Sequence, residues 1–404
     1  MKAIILAASR GASLDPFTRT RPKPMITVSG RYLLENSIDL LKAAGVTDYQ
    51  LIVGHQREKI MSFFQQGAEH GVNISYILQE DPHGIGAALA EARNTVLPGE
   101  YFLLVYGDIL TRGNIFIQTL QSFHSCRAPV AAICLTPSAE LYGNVYLDEQ
   151  MRITRIIEKP QTGGLGNYVL AGVFVLPSQF FEILDRAGND MEQALALLVK
   201  DPGLSASIWE DDWIDMVHPW DILRGNHIIM EPWDAAFISC EAQLRGDVKI
   251  EGPVYVAPGV VIESGSVLRG PCYVGPNTYV GNNVLIRKYT SIGRDCVIGY
   301  GVELKNCVMF GHSRVGRLSF IGDSVIGEHV NIGSGTMTVN ANLEDKTVQV
   351  LVGGVLQDSG FKKLGAFIGD HVQIGASNTL PAGLCIEAGE YLPHNTSISL
   401  RGGR

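Results

Sequence analysis

The chain has 404 residues, too many for one ordinary hydrophobic core, so its length points to two domains. Hydrophobic residues make up 46% and charged residues 18%, the balance of a soluble globular protein. A net charge of −9 without a long basic block speaks against a nucleic-acid or membrane-surface role. No run reads as a membrane span, and no apolar leader stands apart from the first strand. The seven cysteines form no C-x-x-C pair, the pattern of small core fillers in a reduced, cytoplasmic protein.

Residues 3–8 are a short apolar run, the signal of a buried strand, and they break into the small and polar residues Ser9, Arg10, Gly11, Ala12 and Ser13. A basic stretch, 19–23, follows. Such a loop lets backbone N–H groups approach phosphate oxygens, and Lys23 is a compact cation that can neutralise them. Leu34, Ile38 and Leu41 recur at helical spacing, and Gly45 stops that helix. Strands are expected at 49–53, 72–78 and 101–106, with helices at 56–64 and 87–96. Strands alternating with helices imply a mostly parallel sheet covered on both faces, with ligands beyond the carboxyl ends of the strands. Gln79 and Asp108 fall at that edge with the opening loop.

Composition shifts near residue 240. From Gly246 the chain divides into sixes: GDVKIE, GPVYVA, PGVVIE, SGSVLR, GPCYVG and so on to NCVMFG. The fifth place is always apolar, from Ile250 and Val256 to Leu304 and Phe310. The third is small or β-branched, as at Val248, Ser266, Cys272, Thr278 and Thr290. This is the hexapeptide repeat of a parallel β-helix, whose stacked coils bury one apolar column per face. The phase is expected to slip near Val315, and an excursion at 339–365 reads as a binding or interface loop. The domains are therefore drawn at 1–235 and 236–404.

The opening segment resembles the signature of the sugar-1-phosphate nucleotidyltransferases at Leu6, Ala7, Ala8, Gly11, Leu14, Pro16, Thr18, Pro22 and Lys23. Ser9 replaces the family's first glycine and Ser13 its phosphate-holding arginine. The resemblance implies an α/β domain with a Rossmann-like mixed sheet and transfer of a nucleotidyl group from a nucleoside triphosphate to a sugar 1-phosphate, with pyrophosphate released. It implies nucleotide contacts at Leu6, Ala8, Gly11, Gln79 and Gly84, and Mg²⁺ on Asp108 and Asp215. The Tyr142-Gly143-Asn144-Val145 and Ile157-Glu158-Lys159-Pro160 stretches resemble the family's sugar-binding motifs. By that resemblance Gly143, Glu158 and Asn167 hold the sugar, while Lys23, Asp108 and Lys159 serve catalysis. Asp221 is read as the cap of a helix starting at Ile222.

The repeat region resembles the acetyltransferase half of archaeal-type bifunctional UDP-N-acetylglucosamine pyrophosphorylases, which carry a left-handed parallel β-helix. That brings acetyl-CoA in as a candidate ligand and implies trimers or multiples of trimers. Arg317 stands where that family has its histidine base, and Phe320 where it has tyrosine. Asn331, Asn340, Lys362 and Lys363 remain as polar groove residues. A guanidinium cannot take up a proton near neutral pH, so the solenoid is expected not to catalyse acetyl transfer. Three readings stand: a nucleotidyltransferase with a non-catalytic solenoid, a full bifunctional enzyme, or a non-catalytic regulator that binds nucleotide sugars.

Overall fold

A computed structural model of the chain describes residues 1–80, 84–136, 139–158, 168–342, 344, 346–396 and 398. By contacts these form two compact units. The first holds Met1–Arg10, Pro22–Met25 and Leu33–Asp215; the second holds Gly11–Arg21, Ile26–Tyr32 and Met216–Arg404. The contact grouping thus differs from a simple cut at residue 235. The helix Asp221–Met230 packs on the strands Thr27–Val28 and Val308–Gly311, all in the second unit.

The first unit is built on β1 (Lys2–Ala7), β2 (Asp48–Val53), β3 (Asn73–Leu78) and β4 (Tyr101–Tyr106). β1 runs parallel to both β2 and β4, and β2 parallel to β3. Ala3, Ile4 and Ile5 of β1 and the run FLLV of β4 are fully buried, as strands covered on both faces require. β5 is Ile109–Thr111, β6 Val130–Leu135, β7 Gly143–Leu147, β8 Ile153–Glu158 and β9 Tyr168–Pro177. β10 is Ser205–Trp209 and β11 Trp213–Asp215. β9 enters antiparallel to β4 and pairs antiparallel with β6 and β7, so the sheet is mixed. The helix over Leu33–Ala43 ends before Gly45, whose φ of +80° suits the left-handed turn. The single helix expected at 87–96 is instead a short helix, Ile85–Ala90, followed by a separate 3-10 turn at Arg93–Thr95.

The second unit is a three-faced parallel β-helix. Among the described residues its faces are two eight-stranded sheets and one seven-stranded sheet. Ile262, Val280 and Ile298 stack on one face and Leu268, Ile286 and Leu304 on the next, all buried in one apolar column. The buried hydroxyl of Ser266 is paired: it donates to the carbonyl of Gly281 at 2.7 Å and accepts from the N–H of Val284 at 3.1 Å. The cysteines are free thiols, and burial pushes those of Cys272, Cys296 and Cys307 up to about 12.

The phase slip lies earlier than expected. Ile286 pairs with Leu304, but Ile292 pairs with Met309, so the turn after Leu304 is one residue short. Met309 therefore fills the interior column and Phe310, assigned there by the sixfold count, faces outward. The turn between Ile321 and Ile326 is short in the same way, and the excursion leaves from the same corner. That excursion carries an antiparallel hairpin, Gln349–Val352 with Val355–Asp358. Asp221 also departs from expectation. It is the first helical residue, and its carboxylate accepts from the N–H groups of Val217 and His218 at 3.1 and 2.7 Å, holding the approach to the helix.

Candidate functional site

The carboxyl ends of the central strands are tied together by backbone. The N–H of Gly107 donates to the carbonyl of Leu6 at 2.9 Å, and that of Gln79 to Val53 at 2.8 Å. A Cβ at Gly107 would stand 2.7 Å from Leu6 O, so only glycine lets β4 close against β1 here. Around this edge Leu6, Ala8, Ser9, Arg10, Gln79, Gly84, Ile85, Ala88, Tyr106 and Asp108 line a cavity of about 320 Å³. Gly84 has φ +92° with open space where a Cβ would be, which leaves its backbone approachable.

Lys23 is the charged centre of the site. Its Nζ lies 2.6 Å from Asp108 Oδ2 and 3.1 Å from Asp215 Oδ1. The fold explains this convergence: β11 pairs antiparallel with β5, setting Asp215 opposite Ile109, the neighbour of Asp108. Burial works against the lysine's charge, but the two carboxylates outweigh it and hold its pKa above the ordinary value. Two carboxylate oxygens that meet at one cation are a donor set that fits Mg²⁺, which needs few protein ligands when substrate phosphates supply the rest. Among the described residues no cluster of three or more His, Cys, Asp or Glu forms a fuller cage.

Tyr106 is a lining residue that the motifs do not mark. It stands two positions before Asp108, and period-two alternation toward the same face was the available signal. Burial raises its phenol pKa, and Glu158, Asp108 and Asp215 add to the effect. Arg10, adjacent in sequence to Gly11, also lines the cavity.

Gly143 and Glu158 are register partners at the β7–β8 edge. A Cβ on Gly143 would stand 2.8 Å from Glu158 Oε2 and 3.2 Å from Leu170, so the small residue keeps that carboxylate in place. Lys159 and Asn167 lie outside the described residues. Gly11 groups with the second unit, where at φ +67° its carbonyl accepts from Leu14 N–H at 2.9 Å and Thr18 Oγ1 at 2.8 Å. Ser13 is half-buried in the 3-10 turn Ala12–Leu14.

In the solenoid Arg317, Asn331 and Lys362 are exposed, on a corner turn, on a sheet face and in the excursion respectively. Asn340 is half-buried and donates to Asp323 Oδ2 at 2.5 Å. A cavity of about 360 Å³ lies elsewhere, lined by His227, Arg269, Arg287, Lys288, Tyr289, Lys305, Asn306 and Asp323. None of the four motif residues lines it. Arg269, Arg287 and Lys305 recur one coil apart, and that 18-residue spacing of cations was legible in the sequence. Lys305 reaches Asp323 Oδ2 at 3.0 Å, and Asn306 donates to Asp323 Oδ1 at 2.7 Å.

A mixed nucleotide-binding sheet with a buried lysine between two strand-end aspartates, carried on one chain with a hexapeptide solenoid, defines a class of nucleotidyl-transferring enzymes. The nucleotidyl transferase family model matches residues 2–230 and that of the GMPPB C-terminal domain matches residues 268–359. The chain belongs to the nucleotidyl transferase family. It is 33% identical over 395 residues to a bifunctional sugar-1-phosphate nucleotidylyltransferase/acetyltransferase of Sulfurisphaera tokodaii, covering 96% of this chain and 94% of that one. It is 36% identical over 405 residues to the bifunctional protein GlmU of Methanococcus maripaludis, covering 98% and 94%. A Bacillus anthracis chain assigned as a glucose-1-phosphate thymidylyltransferase, crystallised with sucrose, aligns over 56% of this chain and 94% of its own. Its TM-score of 0.53 at 22% identity speaks to the fold.

Proposed function

We propose that this enzyme transfers a nucleotidyl group from UTP or dTTP to a hexose or N-acetylhexosamine 1-phosphate. The observation that carries this reading is the cavity at the strand ends, with Asp108 on its wall and Lys23 held between Asp108 and Asp215. A phosphate oxygen of the sugar 1-phosphate attacks the α-phosphorus, the bond from that phosphorus to the bridging oxygen breaks, and pyrophosphate leaves with the electron pair. The reaction needs no covalent protein intermediate, so catalysis is positioning and charge neutralisation. Gln79 both donates and accepts, as a pyrimidine edge requires, and Gly84 lets backbone approach the base. Arg10 and Lys23 are cations for the triphosphate, and Arg10 supplies part of the charge that Ser13 lacks. Gly143 and Glu158 hold sugar hydroxyls, with Lys159 and Asn167 assigned by resemblance. Mg²⁺, held by Asp108 and Asp215, would offset the charge of the triphosphate and of the leaving pyrophosphate.

The solenoid on this reading binds without reacting; Arg269, Arg287 and Lys305, paired with Glu251, Glu303 and Asp323, offer N–H donors to an anionic ligand such as a sugar phosphate, a nucleotide sugar or acetyl-CoA. The chain assembles as a trimer in the cytoplasm; its free cysteines fit a reducing compartment, and no helix among the described residues is long and apolar enough to cross a membrane. The test is pyrophosphate release across a panel of UTP and dTTP with glucose, galactose and N-acetylglucosamine 1-phosphates. Turnover with at least one pair is expected. Absence of both turnover and calorimetric nucleotide binding, with Mg²⁺ and sugar phosphate present, overturns the enzyme reading in favour of a regulator.

A further inference from the structure

The signature segment Gly11–Arg21 is held by the solenoid. Arg21 is buried, and its Nη2 lies 2.5 Å from Asp370 Oδ2 and 3.3 Å from Glu328 Oε2. Thr20 Oγ1 donates to the same Asp370 oxygen at 2.5 Å. The other oxygen, Oδ1, accepts the N–H of Glu328 at 2.8 Å, which locks the carboxylate into its coil. The packing is as specific as the polar contacts. Phe310, turned outward by the shortened coil, meets Phe17 edge-on at 5.3 Å, and the Arg21 guanidinium lies 4.7 Å from its ring centre. Gly369 leaves room for Pro16, whose Cβ would stand 3.0 Å from an added Cβ. The segment's covalent neighbours are active-site residues: Arg10 precedes Gly11, and Lys23 is two residues beyond Arg21.

We propose that Asp370 is a positioning residue for nucleotidyl transfer, fixing through Arg21 and Thr20 the segment whose flanks carry Arg10 and Lys23. The inference rests on the nucleotidyltransferase reading for its kinetic consequence. A short segment tethered at one end by a buried ion pair has few conformations left, so its flanking cations start each turnover in place. Asp370 touches no substrate in this scheme. Removing it leaves the strands β7 and β8 as they are and loosens the segment 11–21.

The experiment uses the full-length enzyme and its Asp370→Asn, Thr20→Val and Glu387→Gln variants. Glu387 meets the exposed Arg19 at 2.7 Å and serves as the peripheral control. For Asp370→Asn, amide hydrogen exchange in 11–21 is expected to quicken at least tenfold while that in 372–386 stays within twofold. Its kcat should fall about 10- to 100-fold with the sugar 1-phosphate KM within twofold. Thr20→Val, which keeps the ion pair, should move both readouts in the same direction by a smaller factor and decides the matter if Asp370→Asn does not fold. Glu387→Gln should move neither beyond twofold. Unchanged exchange in 11–21, or faster exchange with unchanged kcat, overturns the proposal. A wild type without turnover overturns the functional reading alone, and positioning is then decided by the exchange data together with nucleotide affinity.

Discussion

Lys23 carries opposite obligations: it must stay charged, and it must sit in a site shielded from water. Its ion pairs with Asp108 and Asp215 meet both, at the cost of making each carboxylate depend on the other's register. Asp108→Asn is expected to abolish metal-supported turnover, measured as pyrophosphate release, because one amide would remove both the proposed metal ligand and the lysine's closest partner. Ser13→Arg should raise kcat over wild type, since a second guanidinium adds to Arg10 in offsetting triphosphate charge. A wild-type rate unchanged by Ser13→Arg would mean that Arg10 already fills that role. Asp370 supplies a pH readout at the same scale. Burial alone would raise its pKa, but Arg21, Thr20 and the Glu328 N–H outweigh it and hold the carboxylate below its ordinary value. Its contribution to stability is therefore complete above the unfolded carboxylate pKa of about 3.9 and is lost as pH falls through the lower folded value. The stability gap between wild type and Asp370→Asn, read from urea melts, should be constant from about pH 5 to 8 and shrink below about pH 4.

At the scale of elements, the shortened turns decide which side chains are inside. Met309 replaces Phe310 in the column because the chain reaches that strand one residue early. Met309→Ala should lower stability by about 2–5 kcal/mol through loss of buried volume, measured by denaturant melting. Phe310→Ala should instead act on the Gly11–Arg21 segment, with its main effect on amide exchange there. These positions also mark how far the sequence could be read. Ile262, Val280 and Ile298 followed the sixfold count because one residue per face must point inward on every coil. A single missing residue in a turn leaves no local signature, so the count stayed in phase past Leu304 and placed Phe310 inside. In the sheet the strand limits were legible from their apolar runs, and Gln79 and Asp108 from their place beyond strand ends, whereas Gly84 was marked only by the family resemblance. The Lys23–Asp215 contact was not, since it depends on the pairing of β5 with β11, two short strands about a hundred residues apart.

The molecule as a whole carries a nucleotidyltransferase domain and a hexapeptide solenoid on one chain. Light scattering at micromolar concentration should give three times the 43.8 kDa chain mass, and a monomer would count against the assembly inferred from resemblance. The intact solenoid is expected not to catalyse acetyl transfer. Attack on acetyl-CoA requires the sugar amine to lose its proton as it reacts, and a positioned base contributes about 10²–10⁴-fold. Arg317 cannot accept that proton, and its fixed positive charge disfavours an ammonium substrate beside it. Phe320 offers no hydroxyl. Folding is not what was lost, because Glu303, Phe320 and Met337 keep strict parallel register across that face and the interior column continues on both sides. His312 does not supply a replacement in place: it stacks on His329 at 4.9 Å in an exposed ladder of one corner, and its Nδ1 lies 3.7 Å from Asp295. With acetyl-CoA and glucosamine 1-phosphate, release of free thiol should therefore not exceed the uncatalysed rate. Arg317→His combined with Phe320→Tyr should bring that release above background while the pyrophosphate assay stays unchanged. Thiol release by the wild type well above background would instead place an active base in the solenoid, and a His312→Gln variant would show whether it is that histidine.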